Sequence, residues 1–490
     1  MGANGAMMAK AMVLMLGAIL LTACDRRANS GPVVVSAIGD PPAYPPPGTV
    51  PGLPARVLLD ATAQGLVRFD AGGQIEPGLA ERWTVMDDGA SYIFRLREAY
   101  WANGRRVTAE EIVRLLRRRL IATDNPLAPF LTAIDEIVVM TPQVIEIRLN
   151  RPRPDLLKLF AQPDMTLIAR SPPSGSGPLR IVQAAADGRV AARLRPAFDP
   201  GQADPDDQRD LRPEQDVRLI GERAARAIVR FARRDSDLVS GGTLADWPLL
   251  ATIDLPRTSV RRDPAAGLFG LAIARRDGFL ADPANRTALS AAIDRGAIVA
   301  AIAPGWEATD RLLPEALDSA APPQVPDWTL LTIGQRQAAA RARVAAFSPV
   351  PVRLAIALPP GPGMTLLYGQ LAAAWRRIGI LLDRVGPDEP ADLRLIDTIA
   401  PYDSARWYLA TACMACGEQA AAALEAARLA PTITERGVRL AAADAAMNAD
   451  AGFLPIARPL RWSLVANRLS AWQANPRAWH PLNRLRPDPT

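Results

Sequence analysis

Chemistry in this sequence would have to come from very few cysteine, histidine and serine positions. The 490 residues include three cysteines and one histidine. Cys413 and Cys416 stand together in "ACMACG". Such a C-x-x-C pair can be a local disulfide in an oxidising compartment, a redox pair, or half of a zinc site. Zinc needs two further ligands. Cys24 is the remaining cysteine, and His480 is alone in "WHPLN". A redox pair opens a helix after a strand in a small βαβ unit, and this context does not match. The pair is read first as a structural disulfide, with free thiols as the next reading and no metal site. A serine hydrolase needs a base beside its nucleophile. Ser176 sits in "SGSGP", which is not the G-x-S-x-G elbow, and His480 is the only histidine to serve it. No P-loop, dinucleotide fingerprint or paired-carboxylate motif occurs. The expectation is a non-enzyme without cofactor; a hydrolase stays as a remote alternative.

The third cysteine ends an apolar run. Lys10 is followed by no charged residue until Asp25. The run from Ala11 to Leu21 is too short to cross about 30 Å of hydrocarbon as a helix. A basic start, a short apolar centre and a small-residue end make a secretory signal. Its end, Leu21-Thr22-Ala23-Cys24, resembles the lipobox of bacterial lipoproteins. That resemblance implies cleavage of residues 1–23, a lipid on Cys24, and retention at the inner membrane through Asp25.

The elements that must position any site read as alternating strands and helices, the pattern of α/β lobes. "PVVVSAIG" (32–39) is a strand, and the proline-rich 40–54 is the loop leaving it. "SYIFRL" and "VIEIRLN" alternate polar and apolar, as half-buried strands do. Thr108 and Glu111 form a T-x-x-E capping box. The helix after it places Ile112, Val113, Leu116 and Leu120 on one face. Residues 282–302 are two short helices broken near Asp294. "LFGLAIARR", "VRLAIALP" and "ADLRLID" are further strands, and 418–428 and 435–447 are helices. The chain is too long for one core. Net charge is +6, yet both signs alternate and aromatics are only 5%, so nucleic acid is not the expected partner. All but two of the 57 basic residues are arginine, the exceptions being Lys10 and Lys158.

In order and wording these segments resemble family 5 of the bacterial extracellular solute-binding proteins, the periplasmic oligopeptide- and dipeptide-binding proteins of ABC importers. The matching residues begin with Gly65-Leu66-Val67, Gly73, Pro77-Gly78-Leu79-Ala80-Glu81 and Trp83. They continue through Asp88-Gly89, Tyr92, Phe94-Arg95-Leu96-Arg97, Asn103-Gly104 and Val107-Thr108-Ala109-Glu110. Later come Gly175-Ser176-Gly177-Pro178, Arg286 to Val299, Ile378-Gly379-Ile380, Leu454-Pro455-Ile456 and Arg461 to Val465. The resemblance implies a two-lobed α/β binding protein of type II-like form with an extra small domain. It places lobe I at 24–58, 165–260 and 450–490, the small domain at 59–164 and lobe II at 261–449. It also implies a monomer in the periplasm, tethered to the inner membrane by lipidated Cys24. Such a protein captures a small peptide or similar solute between its two lobes and hands it to an ABC permease and ATPase complex. Three departures stand out, one of them the short passage from Trp407 through "CMACG" to the helices 418–428 and 435–447, where importers have a longer second lobe. Ala274 takes the place of the family's cleft asparagine, and "DTIAPYDSARWYL" (397–409) stands where peptide binders carry W-x-x-D-Y. These departures leave a non-transport lipoprotein, a sensor or scaffold with a degenerate cleft, as the alternative.

In open α/β lobes ligands sit beyond the carboxyl ends of strands. The loops 40–54 and 397–407 are therefore expected to face one crevice. Tyr44, Tyr402 and Trp407 would offer apolar faces with polar tips. Asp403 would meet a ligand amine and Arg406 a carboxylate. Arg461 and Trp462 of the returning strand complete the expected ligand set. The anchor itself is testable: Cys24→Ser should abolish labelling by radioactive fatty acid, and undiminished labelling would refute the lipid assignment.

Overall fold

The computed structural model describes residues 31–487 apart from 47, 171–172, 186–189, 198–212 and 316. Residues 1–23 and Cys24 lie outside the described residues, and with them the expectations of a signal, its cleavage and a lipid.

Val33–Ile38 is the centre of a seven-stranded sheet. Its β-branched run suits a strand covered on both faces. It pairs in parallel with Val217–Glu222 and with Leu238–Gly242. Ala191–Pro196 and Leu179–Gln183 extend one side, and Trp462–Val465 and Val260–Arg262 extend the other. A second sheet has five strands, in the order Ile380–Val385, Val352–Ala357, Leu393–Ile399, Gly267–Ile273 and Phe453–Ala457. Every residue of Gly267–Ile273 is buried. The chain leaves the first sheet after Arg262 and returns to it at Trp462. The boundary expected at 450 therefore moves. Phe453–Ala457 belongs to the second sheet because it pairs antiparallel with Gly267–Ile273.

Trp462 fixes where the returning strand docks. It is 1% exposed, and its Nε1 donates to Thr243 O at 2.9 Å. A Cβ on Gly242 would fall 2.1 Å from the indole, so only glycine lets the ring lie on that strand. Two buried arginines hold the second lobe together. Arg295 donates to Pro455 O (2.7 Å), and Arg286 donates to Asp450 O (2.6 Å). The two short helices are Pro283–Ala291 and Arg295–Ile302, with Asp294 capping the second through Ala297 N at 3.0 Å.

The small domain is a four-stranded antiparallel sheet: Ala80–Met86, Ser91–Leu96, Val144–Leu149 and Ile134–Thr141. Helix Ala109–Leu120 packs on it through Ile112, Val113, Leu115 and Leu116. Only half of the capping box forms. Thr108 Oγ1 accepts from Glu111 N at 3.3 Å. The Glu111 carboxylate accepts instead from Trp101 Nε1 (2.8 Å) and from the charged Arg105 (2.9 Å), whose ion pair is stronger than a bond from a backbone N–H.

The segment expected as a loop over 397–407 is shorter than that. The strand Leu393–Ile399 runs to residue 399 and the helix Ala405–Ala412 starts at 405. Arg406 and Trp407 are thus helical. The helix start is held by a distant carboxylate, since Asp318 Oδ1 accepts from Ala405 N at 2.7 Å. The next helices are Glu418–Leu429 and Ile433–Asp450. In the turn between helices Ala405–Ala412 and Glu418–Leu429, the sulfurs of Cys413 and Cys416 lie at bonding distance, 2.12 Å. Protein recovered without reductant should leave both unlabelled by maleimide until dithiothreitol is added. Two immediately reactive thiols would contradict the disulfide.

Candidate functional site

The second lobe meets the small domain along a seam rich in charge. On the lobe side the turn 400–404 and the first turn of helix Ala405–Ala412 present Pro401, Tyr402, Asp403 and Arg406. On the other side stand Pro129 and Phe130, the short helix Leu156–Phe160, and the residues flanking it. Gln162 Nε2 donates to Pro401 O at 2.7 Å. Tyr402 meets Phe130 edge to face, with ring centroids 5.9 Å apart. Arg406 Nη2 donates to Pro129 O at 3.1 Å, and its guanidinium carbon lies 5.2 Å from the Phe130 ring centroid, within cation–π range. Arg153 Nη2 reaches across to Arg428 O at 2.7 Å.

Asp403 is the polar centre of this contact. Lys158 Nζ donates to its Oδ2 at 2.5 Å, and Arg477 pairs with its Oδ1 at 2.5 Å. Partial burial pushes the Asp403 carboxyl up, but the bonds from Lys158 and Arg477 outweigh it and hold the group below the usual carboxylate range. Arg477 also donates to Ala400 O at 2.9 Å, so the C-terminal segment braces the same turn. Deeper in lies Arg436, only 2% exposed. It donates to Ser404 Oγ (2.8 Å) and to Asp318 Oδ2 (2.5 Å).

Arg153, Arg406 and Arg436 line one small chamber with Asp155, Phe130 and Tyr402. Its volume, about 10 Å³, is room for about one water. Burial lowers the Arg153 pKa, and the neighbouring guanidinium groups of Arg436, Arg151 and Arg406 lower it further. Asp155 shifts the opposite way from Asp403. Burial and the Asp318 charge push it up to about 6, against the pull of Arg436 and Lys158. The nearest cation to it is Arg436, at 4.0 Å.

The expected residues divide. Tyr402, Asp403 and Arg406 come together at the seam. Trp407 is 4% exposed and packs on Tyr408 with centroids 4.9 Å apart, so it belongs to the core. Tyr44 lies elsewhere. Its hydroxyl is 2.8 Å from Thr62 Oγ1, and it lines a cavity of about 360 Å³ with Pro45, Leu59 and Leu115. No residue of 397–407 lines that cavity. Arg461 clamps the strand below the seam, donating to Asp397 Oδ1 at 2.7 Å, and Trp462 is buried in the first lobe. His480 Nε2 lies 3.2 Å from Asp263 Oδ2, and the ring packs on Trp472.

Among the described residues no group of three or more His, Cys, Asp or Glu is arranged to hold a metal. No described helix is long and apolar enough to cross a membrane. Sequence reasoning missed the small-domain half of the seam: Phe130, Arg153, Asp155, Lys158 and Gln162. The available signal was Lys158, the one lysine after Lys10 in a chain that otherwise uses arginine.

Asp155 gives the seam a measurable pH dependence. Its folded-state pKa stands above the unfolded value, so the native state binds the extra proton between about pH 4 and 6. Stability from this group falls as pH rises through that window, and the deficit is complete above it. Asp155→Asn should flatten that slope. It should also stabilise the protein at pH 7.5, by on the order of 3 kcal/mol for a two-unit shift, with no gain at pH 4. Urea unfolding at both pH values measures this; equal effects at the two would exclude a charge origin.

Residues 74–347 match the family model described as bacterial extracellular solute-binding proteins, family 5 Middle. The "Probable deoxycholate-binding periplasmic protein YgiS" of Escherichia coli K12 is 35% identical over 109 residues, 21% of this chain and 20% of that protein. In sequence the chain thus spans about a fifth of the length of the curated relatives it matches. In structure the likeness is fuller. Haemophilus influenzae OppA in complex with RPPGFSPFR superposes with a TM-score of 0.77 at 16% identity, covering 93% of this chain and 98% of that one. The Escherichia coli murein tripeptide binding protein MppA gives 0.76 at 18% identity, covering 92% and 97%. These likenesses show the periplasmic-binding-protein fold, two α/β lobes with a small additional domain. With more than half of its length matched by the family model, the chain belongs to the bacterial extracellular solute-binding proteins of family 5.

Proposed function

We propose that this chain is the solute-capturing component of an ABC importer, held in the periplasm at the inner membrane by a lipid on Cys24, and that the seam between second lobe and small domain is where it grips its solute. One observation carries this reading: Arg153, Arg406 and Arg436, from both sides of the seam, converge on one chamber beside the aromatic rings of Phe130 and Tyr402. Three arginines against the single Asp155 leave the chamber with an excess of positive charge, which a further negative charge would offset. A carboxylate between them would supply bidentate partners. A solute that bridges both sides favours the closed form, because it touches both only there. The solute in this reading is a small peptide or similar carboxylate-bearing molecule, admitted only when the seam opens, and a permease and ATPase complex would then receive it from a monomer. The curated relatives and solved neighbours are binding proteins, which supports a non-catalytic role.

A second reading is favoured by the size of the chamber and by the bonds that already fill the seam. Asp403, Arg406 and Arg436 all have partners within the chain. A sensor or scaffold that closes without solute would look like this.

Calorimetry against a peptide library separates the two. In the importer reading, Arg406→Ala weakens binding of a carboxylate-bearing peptide about 10- to 150-fold, corresponding to roughly 1.5–3 kcal/mol for a charge-assisted hydrogen bond. Equal affinity in both proteins would remove Arg406 from the site. Absence of binding to any peptide would favour the non-transport reading.

A further inference from the structure

Lys158 is chemically out of place. Every other basic side chain after Lys10 is arginine. Here alone the chain presents a compact ammonium, a point charge with three donors rather than a planar fork. It is carried by helix Leu156–Phe160 of the small domain and crosses the seam to Asp403 Oδ2. Arg477 takes Oδ1 of the same carboxylate. Both oxygens of Asp403, the residue expected to meet a ligand amine, thus already have cationic partners from this chain. The other seam carboxylates offer little more to an incoming amine. Asp318 serves Arg436, Ser404 Oγ and Ala405 N. Asp155 faces Arg436 in the chamber of three arginines. Cations at the seam are Arg153, Lys158, Arg406, Arg436 and Arg477; the facing carboxylates are Asp155, Asp318 and Asp403. The balance is positive even with every acid ionised.

We propose that Lys158 is a built-in amine: it occupies Asp403 and makes the seam select solutes that carry a carboxylate but no free ammonium group, such as N-blocked peptides or amine-free organic acids. The proposal rests on the preceding assignment of the seam as the solute site. An incoming ammonium would have to displace Lys158 and enter a positive field. A carboxylate would enter the same positive field favourably, exchanging the bonds of Arg406 and Arg153 to backbone carbonyls for charge-assisted ones. Lys158→Met would keep the length and apolar stem of the side chain while freeing one oxygen of Asp403. Lys158→Arg would keep that oxygen filled.

The test uses two tripeptide libraries, identical except that one is N-acetylated, with retained members read by native mass spectrometry. The side chain of Lys158 is 36% exposed, so both variants should fold, as circular dichroism will verify. Wild type and Lys158→Arg should retain acetylated members at least tenfold over free-amine ones. Lys158→Met should gain free-amine members at least tenfold. Equal retention of both libraries by wild type would overturn the selectivity and leave the seam as the site. Acetyl selectivity unchanged in Lys158→Met would overturn the role of Lys158. Retention of no member by any of the three proteins would overturn both this proposal and the seam assignment.

Discussion

Arg436 is a guanidinium almost entirely removed from water. Breaking such a buried pair by deleting one partner costs about 3–5 kcal/mol, because the other charge is left alone. Asp318 and the Ser404 hydroxyl meet it, and Asp318 in turn accepts from Ala405 N. These bonds pin the turn 400–404 and start the helix Ala405–Ala412 at a fixed point. Much of what the second lobe shows to the small domain hangs on that turn and the helix it starts: Pro401, Tyr402, Asp403 and Arg406. Arg477 braces it from the C-terminal segment through Ala400 O. The seam is therefore held rigidly within the lobe. Across the interface Gln162, Arg406 and Arg153 bond to backbone carbonyls, and the Lys158–Asp403 ion pair is half-exposed, of the kind worth ~0.2–1 kcal/mol when isolated at a surface. That imbalance suits a jaw that keeps its shape and can still open.

Much of the fold was legible because periodicity is local. Alternation in "SYIFRL" and "VIEIRLN" located two strands of the small domain, and the β-branched run at 33–35 located the central strand of the first lobe. The cap at Asp294 located a helix break. The returning strand was misjudged by one sheet. Phe453–Ala457 and Trp462–Val465 are close in sequence, yet pairing with Gly267–Ile273 claims the first for the second lobe. No local pattern encodes that choice.

Half of the candidate site was legible as well. Tyr402, Asp403 and Arg406 were singled out by type and spacing, and the structure gathers them. Their partners come from more than 200 residues away, which is why sequence spacing could not supply them. Tyr44 misled because the loop that carries it is proline-rich and leaves the right strand, but its hydroxyl is drawn to Thr62 on the adjoining helix Leu53–Thr62. Trp407 misled because an aromatic beside charges looks like a site, whereas its helix turns it into the core beside Tyr408.

The central claim is that the Arg436–Asp318–Ser404 cluster sets the turn that closes the second lobe on the small domain. The distance between spin labels at Met140 and Leu366 reports this directly; both are exposed, one on the small domain and one on the second lobe. Wild type should give a single narrow distribution, and Arg436→Met a shifted and broader one. Superimposable distributions in the two proteins would contradict the account.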